Sequence, residues 1–262
     1  MERATTNWSP STLWAEIRGG RFRRHTSGVC SGYAQANLVV LPKHAALDFL
    51  IFCQRNPRPC PLLDVLEPGE TAPPSSPSAD IRTDIPGYRI FRDGALTDER
   101  EQITELWQAD WVSFLLGCSF TFEWALLEAG IPLRHVQEGK NVAMYNTGIV
   151  CRPAGMFSGN MVVSMRPIPA GLIPQVVQIC SRFPSVHGAP IHVGDPAAIG
   201  IHNLAAPDYG EAVTVERGEL PVFWACGVTP QLVAIQSRPP IMVTHAPGCM
   251  FVTEIPNQSL AR

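Results

Sequence analysis

Proline and glycine limit what this chain can build. Among 262 residues there are 25 prolines and 21 glycines. Each proline removes a backbone donor, and each glycine frees the backbone for conformations other residues avoid. Many turns and irregular stretches are therefore expected. The second half gathers these residues with histidine and small polar side chains into blocks. They run from Cys118 to Glu123, from Val186 to Pro196 and from Phe223 to Gln231. Each block sets reactive or hydrogen-bonding groups beside residues that fix or free the backbone, as a built pocket would. An enzyme is the favoured reading.

Composition narrows the class. The chain can bury one large core or two smaller ones, and 45% hydrophobic with 16% charged residues fits a compact soluble protein. A formal charge of -3 leaves no extended basic surface for a nucleic-acid backbone. Aromatic content of 8%, without a basic stacking pattern, points the same way. The local cluster Arg18, Arg21, Arg23, Arg24 and His25 suits a solvated segment or an anionic ligand equally. No apolar run approaches a membrane span. Eight cysteines occur without a CxxC pair, and no secretory signal precedes Trp8 or Trp14. Reduced thiols, a cytoplasmic location and no structural zinc are expected.

Local signals outline the elements. Ser9 caps a first helix with Pro10 at its first position, and Gly19-Gly20 stops it. A buried strand ending at Pro42 and a helix from Lys43 to Gln54 follow; residues 67 to 80 read as loop. Ile81 to Phe91 leads into a strand, and Thr97 with its acidic neighbours starts a helix through Trp111. A further helix runs from Ser119 or Phe120 to Ala129, with Phe120, Trp124 and Leu127 on one side and Glu123 at another angle. Beyond it, 142–145, 161–165, 211–215, 221–225 and 240–244 read as strands and Leu172 to Phe183 as a helix. The expected class is α/β with a mixed sheet and two lobes. Residues 1–130, completed by 221–262, form the first lobe, and 131–220 form an inserted lobe with the pocket between them.

Several residues have the chemistry to work in that pocket. Cys226 ends an apolar strand and is followed by Gly227, Thr229 and Pro230, so a thiol, a hydroxyl and backbone N–H groups can converge there on an oxyanion. Cys226 can also simply fill the core. His187 and His192 flank Gly188-Ala-Pro190, with Asp195 close behind. They suit proton transfer, metal ligation with a distant fourth group, or structural hydrogen bonds. His245 ends another strand before Ala-Pro-Gly. Glu123 can act as a base or grip an amine if apolar surroundings raise its pKa, or it can pair with Arg134. Arg166, between Met165 and Pro167, suits a substrate carboxylate or a structural partner such as Asp195. Tyr145, Asn146 and Thr147 add polar contacts. There is no dinucleotide fingerprint, Walker loop or zincin helix.

At these residues the chain resembles the hydro-lyase family related to vertebrate D-glutamate cyclase. The resemblance runs from about Gly32 to Glu254 through Gln35-Ala-Asn37, Asn56-Pro-Arg-Pro-Cys60, Gly117-Cys-Ser-Phe120, Val162 to Pro167, His187 to Pro196 and Phe223 to Gln231. It implies a two-part α/β fold of the family's own type, in amino-acid metabolism, with no required cofactor. The implied reaction is loss of water as D-glutamate closes to 5-oxo-D-proline. The family pattern usually carries arginine and asparagine where Asn146 and Gly148 stand, and often histidine and aspartate in place of Cys249 and Glu254.

On that resemblance Glu123 or His187 takes the amine proton, His192 protonates the departing oxygen and Arg166 holds the α-carboxylate. The N–H groups from Cys226 to Thr229 then support the oxyanion. Hydration or dehydration of another small hydroxy acid, or metabolite binding without turnover, are the competing functions. The expected partner is a small carboxylate or amino acid, without membrane or nucleic acid. Apolar helix faces leave room for a homo-oligomer.

Overall fold

The computed structural model describes residues 7–262. Its centre is strand β1 (Tyr33–Pro42), in which every residue after the first is buried. A strand buried on both faces must carry apolar side chains in both directions. Ala36, Leu38 and Val40 face one core layer, while Val39 and Leu41 face another. One edge of β1 pairs along its length with β5 (Trp111–Gly117). The other edge is shared by β10 (Met242–His245) and β11 (Phe251–Pro256). Strand β2 (Leu62–Leu66) pairs with β5, while β3 (Tyr88–Arg92) and β4 (Ala95–Arg100) extend the sheet beyond β10.

A second, four-stranded sheet has the order β6-β7-β9-β8, from Ala143–Val150, Asn160–Pro169, Glu219–Ala225 and His192–Val193. The α/β class is as expected. Among the described residues, however, every strand pair is antiparallel, where a mixed sheet was anticipated.

Helix α1 (Pro10–Arg18) starts where Ser9 accepts a bond from the Thr12 N–H at 3.1 Å. It is pinned by Trp14, which stacks on Phe251 and donates to the Val252 carbonyl at 3.0 Å. Helix α2 (Lys43–Arg55) covers the opposite face of the larger sheet with Phe49 and Phe52. Helices α3 (Phe120–Glu128), α4 (Arg134–Gln137) and α5 (Ile173–Ser181) accompany the smaller sheet. Helix α6 (Thr229–Ser237) packs on both β7 and β10, so it ties the two sheets together.

Three expectations are corrected. The stretch from Thr97 to Trp111 is not a helix. Asp93 and Gly94 both have positive φ, 49° and 84°. That turn closes a hairpin and commits the acidic segment to β4. Residues 211–215 form no strand, because their backbone is held instead by Asn141, Lys140 and Glu138. On α3 Phe120, Trp124 and Leu127 share one side as expected, and the buried residues are Phe120, Thr121, Phe122, Glu123 and Leu126. Finally, β9 does not return to the first sheet. It pairs with β7 from Val163 to Pro169, and only β10 and β11 return.

Candidate functional site

The two sheets meet where β5 and β9 end. Asn37 on β1 donates from Nδ2 to the carbonyls of Leu116 at 3.2 Å and Gly117 at 2.9 Å. The same amide lies so close to Gly227 that a Cβ there would overlap it. Each strand then turns into a helix through a cysteine. The Cys118 N–H donates to the Gln35 carbonyl, and the Cys226 N–H to the Val162 carbonyl, both at 3.0 Å. The backbone N–H groups of Phe120 and Val228 favour the thiolates of Cys118 and Cys226 respectively, but burial outweighs them. Burial pushes Cys118 up and Cys226 up to about 11, so both stay thiols near neutral pH. Thr229 Oγ1 donates to the Cys226 carbonyl at 2.7 Å and accepts from the Val162 N–H at 3.0 Å. Of the N–H groups expected at an oxyanion, that of Cys226 is spent on the Val162 carbonyl of β7 and that of Thr229 on the Cys226 carbonyl.

Beneath this junction lies an ionic cluster. Arg166, fully buried on β7, donates from Nε and Nη2 to Glu123 Oε1 at 3.0 and 2.5 Å. It also reaches Ser164 at 3.1 Å and Ser119 at 3.0 Å. Its guanidinium lies over the rings of Trp224 and Phe122. His135 Nε2 is 3.1 Å from the same Glu123 oxygen. Burial alone would raise the Glu123 pKa, but His135 and Arg166 outweigh it and hold the group at about 2. Glu123 is therefore an ionised carboxylate, not the carboxyl of raised pKa anticipated from its apolar neighbours. Arg134 pairs with Glu219 at 2.7 Å instead.

The remaining expected residues are each committed to local structural bonds. His187, buried and left-handed at φ 83°, places Nδ1 2.6 Å from the Arg58 carbonyl and also bonds the Gly117 backbone. Burial lowers its pKa to about 4, against the pull of those carbonyls. His192 Nε2 meets the Asp195 carbonyl at 2.7 Å, while the Asp195 side chain caps Ala197 at 3.0 Å. The Tyr145 hydroxyl donates to the Leu204 carbonyl and Thr147 to the Met161 carbonyl, both at 2.7 Å. Asn146 is bound to Asp208 through its backbone N–H and its Nδ2, both at 2.8 Å. These groups brace strands and loops.

A different wall at the junction has chemistry to spare. His245 ends β10 at the gap before β11, and its Nδ1 lies 3.2 Å from the Leu38 nitrogen and 3.3 Å from the Leu38 carbonyl oxygen. With Nδ1 accepting from the Leu38 N–H the ring proton is on Nε2, and with Nδ1 donating to the Leu38 carbonyl Nε2 is an acceptor. That Nε2 is buried and has no partner. Burial lowers the His245 pKa to about 4, partly offset by the Leu38 backbone, so the ring is neutral. Gln231 on α6 links this strand end to a cation. Its Nε2 donates to the His245 carbonyl at 2.8 Å, and its Oε1 lies 3.4 Å from Arg89 Nη1. Arg89, half-buried on β3, also holds Glu99 at 2.6 Å.

The charge of Arg89 also acts on Tyr209 and Cys249, in each case lowering the pKa. Burial raises the Tyr209 pKa, and Asp208 and Cys226 add to it, so the phenol keeps its proton at neutral pH. Burial likewise pushes the Cys249 thiol up to about 11. Arg89, Tyr209 and His135 were not singled out from the sequence. Each sits in an unremarkable local context, and only strand pairing brings Arg89 beside Gln231 on α6. Among the described residues no group of three or more His, Cys, Asp or Glu side chains is arranged to hold a metal, and no helix is long and apolar enough to cross a membrane.

A family model described as D-glutamate cyclase matches residues 112–254. A Stutzerimonas stutzeri protein is 57% identical over 253 residues, covering 96% of each chain. One from Geobacillus kaustophilus is 60% identical over 245 residues, 93% of each chain. One from Bacillus subtilis is 57% identical over 254 residues, 97% of this chain and 99% of the other. All three carry names beginning "Putative hydro-lyase".

Proposed function

Because the chain belongs to the D-glutamate cyclase family, we propose that it is a hydro-lyase that closes D-glutamate to 5-oxo-D-proline and water at the Arg89–His245 wall. The observation that carries this reading is the buried, unpartnered His245 Nε2 near Arg89. A neutral ring nitrogen desolvated without a partner is costly unless a ligand completes it, and a ligand oxygen does so where Nε2 carries the proton. Arg89 adds the charge and fork that a carboxylate requires.

The reaction joins the amine nitrogen to the side-chain carboxyl carbon and breaks one carbon–oxygen bond. The two protons that the ammonium loses are the two that leave with oxygen as water. Arg89 holds one carboxylate, and the His245 Nε2–H donates to the oxygen on which negative charge grows during attack. The Tyr209 phenol, protonated at neutral pH, gives its proton to the departing oxygen and takes one from nitrogen. Orientation supplies much of the rate, because amine and carboxyl carbon must be held in line. Arg166 is left out of substrate contact, since its fork is spent on Glu123, Ser119 and Ser164. The Asn146 difference from the family pattern falls on the Asp208 contact, whereas the Cys249 difference falls within reach of the Arg89 charge.

Purified protein incubated with D- and L-glutamate, with 5-oxoproline followed by NMR, tests the reading. Lactam from the D enantiomer, lost in Arg89→Ala and His245→Ala proteins that remain folded, is expected. No lactam from either enantiomer removes the cyclase, and turnover of a hydroxy acid in its place assigns a hydratase.

A further inference from the structure

Helix α6 carries a buried amide towards Arg89. Its first six residues, Thr229 to Ala234, are all buried. Gln231 therefore has to satisfy both ends of its amide inside the protein. Nε2 donates to the His245 carbonyl at 2.8 Å, an oxygen that also accepts from Thr244 Oγ1 at 3.0 Å. That carbonyl fixes which way round the amide sits. The donor end faces β10, and the acceptor end, Oε1, faces Arg89 Nη1 at 3.4 Å. One side chain thus ties the end of β10 to the guanidinium on β3.

A guanidinium has five N–H donors. Glu99 Oε1 takes the one on Arg89 Nε at 2.6 Å, across the β3–β4 hairpin, and Gln231 takes one on Nη1. Nη2 makes no hydrogen bond among the described residues, and the Arg89 side chain is 24% exposed. The character of the two partners decides what is left for a ligand. Glu99 is charged but largely exposed, where water screens its attraction. Gln231 is buried but neutral, so it orients the fork without cancelling its charge. A carboxylate in place of that amide would do both, and would occupy donors that an acid needs. We infer that Gln231 is the positioning residue of the acid site, aiming Arg89 at the ligand carboxylate while leaving its charge unspent. This rests on the reading that Arg89 holds an acid.

The full chain is compared with Gln231→Glu and Gln231→Met. Glutarate, a dicarboxylate with no amine to cyclise, is titrated by calorimetry beside D-glutamate turnover, and thermal midpoints report folding. Gln231→Glu keeps the shape but sets a second carboxylate on Arg89. It should weaken glutarate binding and raise KM for D-glutamate by about tenfold or more, with kcat changed by less than about threefold. Gln231→Met removes both bonds but leaves the cation unpaired by any new charge. Its loss of affinity should be smaller, about threefold to fivefold, and it decides if Gln231→Glu fails to fold. Lower thermal midpoints with glutarate affinity and KM unchanged would mark a structural residue and overturn the inference, as would a larger loss of affinity in Gln231→Met than in Gln231→Glu. Either result leaves the cyclase reading standing. Glutarate bound without lactam, and weakened in both variants, removes the cyclase and keeps the inference. Wild-type protein that neither binds glutarate nor forms lactam removes both.

Discussion

Arg166 and Glu123 meet on a single carboxylate oxygen. Nε and Nη2 both donate to Oε1, in a pair that solvent barely reaches. Ser119, at the start of α3, makes no cap bond to its own helix, and its hydroxyl accepts from Arg166 instead. One guanidinium therefore joins β7 to α3.

Removing one partner leaves the other charge buried alone, which costs about 3–5 kcal/mol. Glu123→Gln and Arg166→Met should each lower the unfolding free energy from urea titration by that much, while Glu123→Leu with Arg166→Met together should recover part of it. Single variants within about 1 kcal/mol of wild type would show that the pair is not holding the sheet to the helix.

Acid should act on this pair in a defined window. The Glu123 pKa is held at about 2 against an ordinary 4.5. Its contribution is therefore present above about pH 4.5 and is lost as pH falls towards 2. The stability gap between wild type and Glu123→Gln should narrow by roughly 2 kcal/mol between pH 7 and pH 3. A gap independent of pH would contradict the depressed pKa.

The two buried histidines act earlier. Burial holds both His187 and His245 at about 4 against 6.5. Staying neutral costs nothing above 6.5, and the native state loses stability as pH falls from there through about 4. Thermal midpoints of wild type should drop across that interval, and His187→Gln should flatten the drop. Equal slopes in the two proteins would remove His187 from the account.

Gly227 is held to glycine by packing against Asn37 rather than by an unusual φ. Gly227→Ala should destabilise by about 1–3 kcal/mol through overpacking, and adding Asn37→Ala should return part of that. Strict additivity in the double-mutant cycle would show that the two residues do not touch.

Arg89 is half-buried and its carboxylate partner Glu99 is largely exposed, so that surface pair contributes little to stability. Arg89→Ala should leave the thermal midpoint nearly unchanged. If Arg89 holds the substrate carboxylate, kcat/KM for lactam formation should fall by about 2–5 kcal/mol in transition-state terms. Normal turnover in the variant would move the acid-binding group elsewhere.

Much of the local framework was legible before folding. Ser9-Pro10 and Gly19 bound α1 as their chemistry requires, and the Asn56 to Pro61 segment ends α2 where its prolines predict. Those signals act over a few residues, so they survive in any tertiary context. The segment after Thr97 is the counterexample. Its acidic start resembles a helix N-terminus, yet the Asp93-Gly94 turn folds it back on β3, and pairing with Tyr88 to Arg92 overrides the propensity.

The site divides in the same way. Blocks rich in glycine and cysteine at 117–120 and 223–231 do end at the junction of the sheets, and Arg166 is the buried cation that its setting suggested. Which oxygen satisfies that cation is a question of distance in space, and Glu123, 43 residues away, answers it. The same holds for His245, whose free Nε2 follows from its Nδ1 filling the gap between two strands on one edge of β1. Residue type and spacing determined the turns, caps and buried strands, because those depend on neighbours in the chain. Pairing between distant strands decided which polar groups are spent on structure and which are left to meet a ligand, because desolvation makes every buried donor and acceptor depend on what lies beside it after folding.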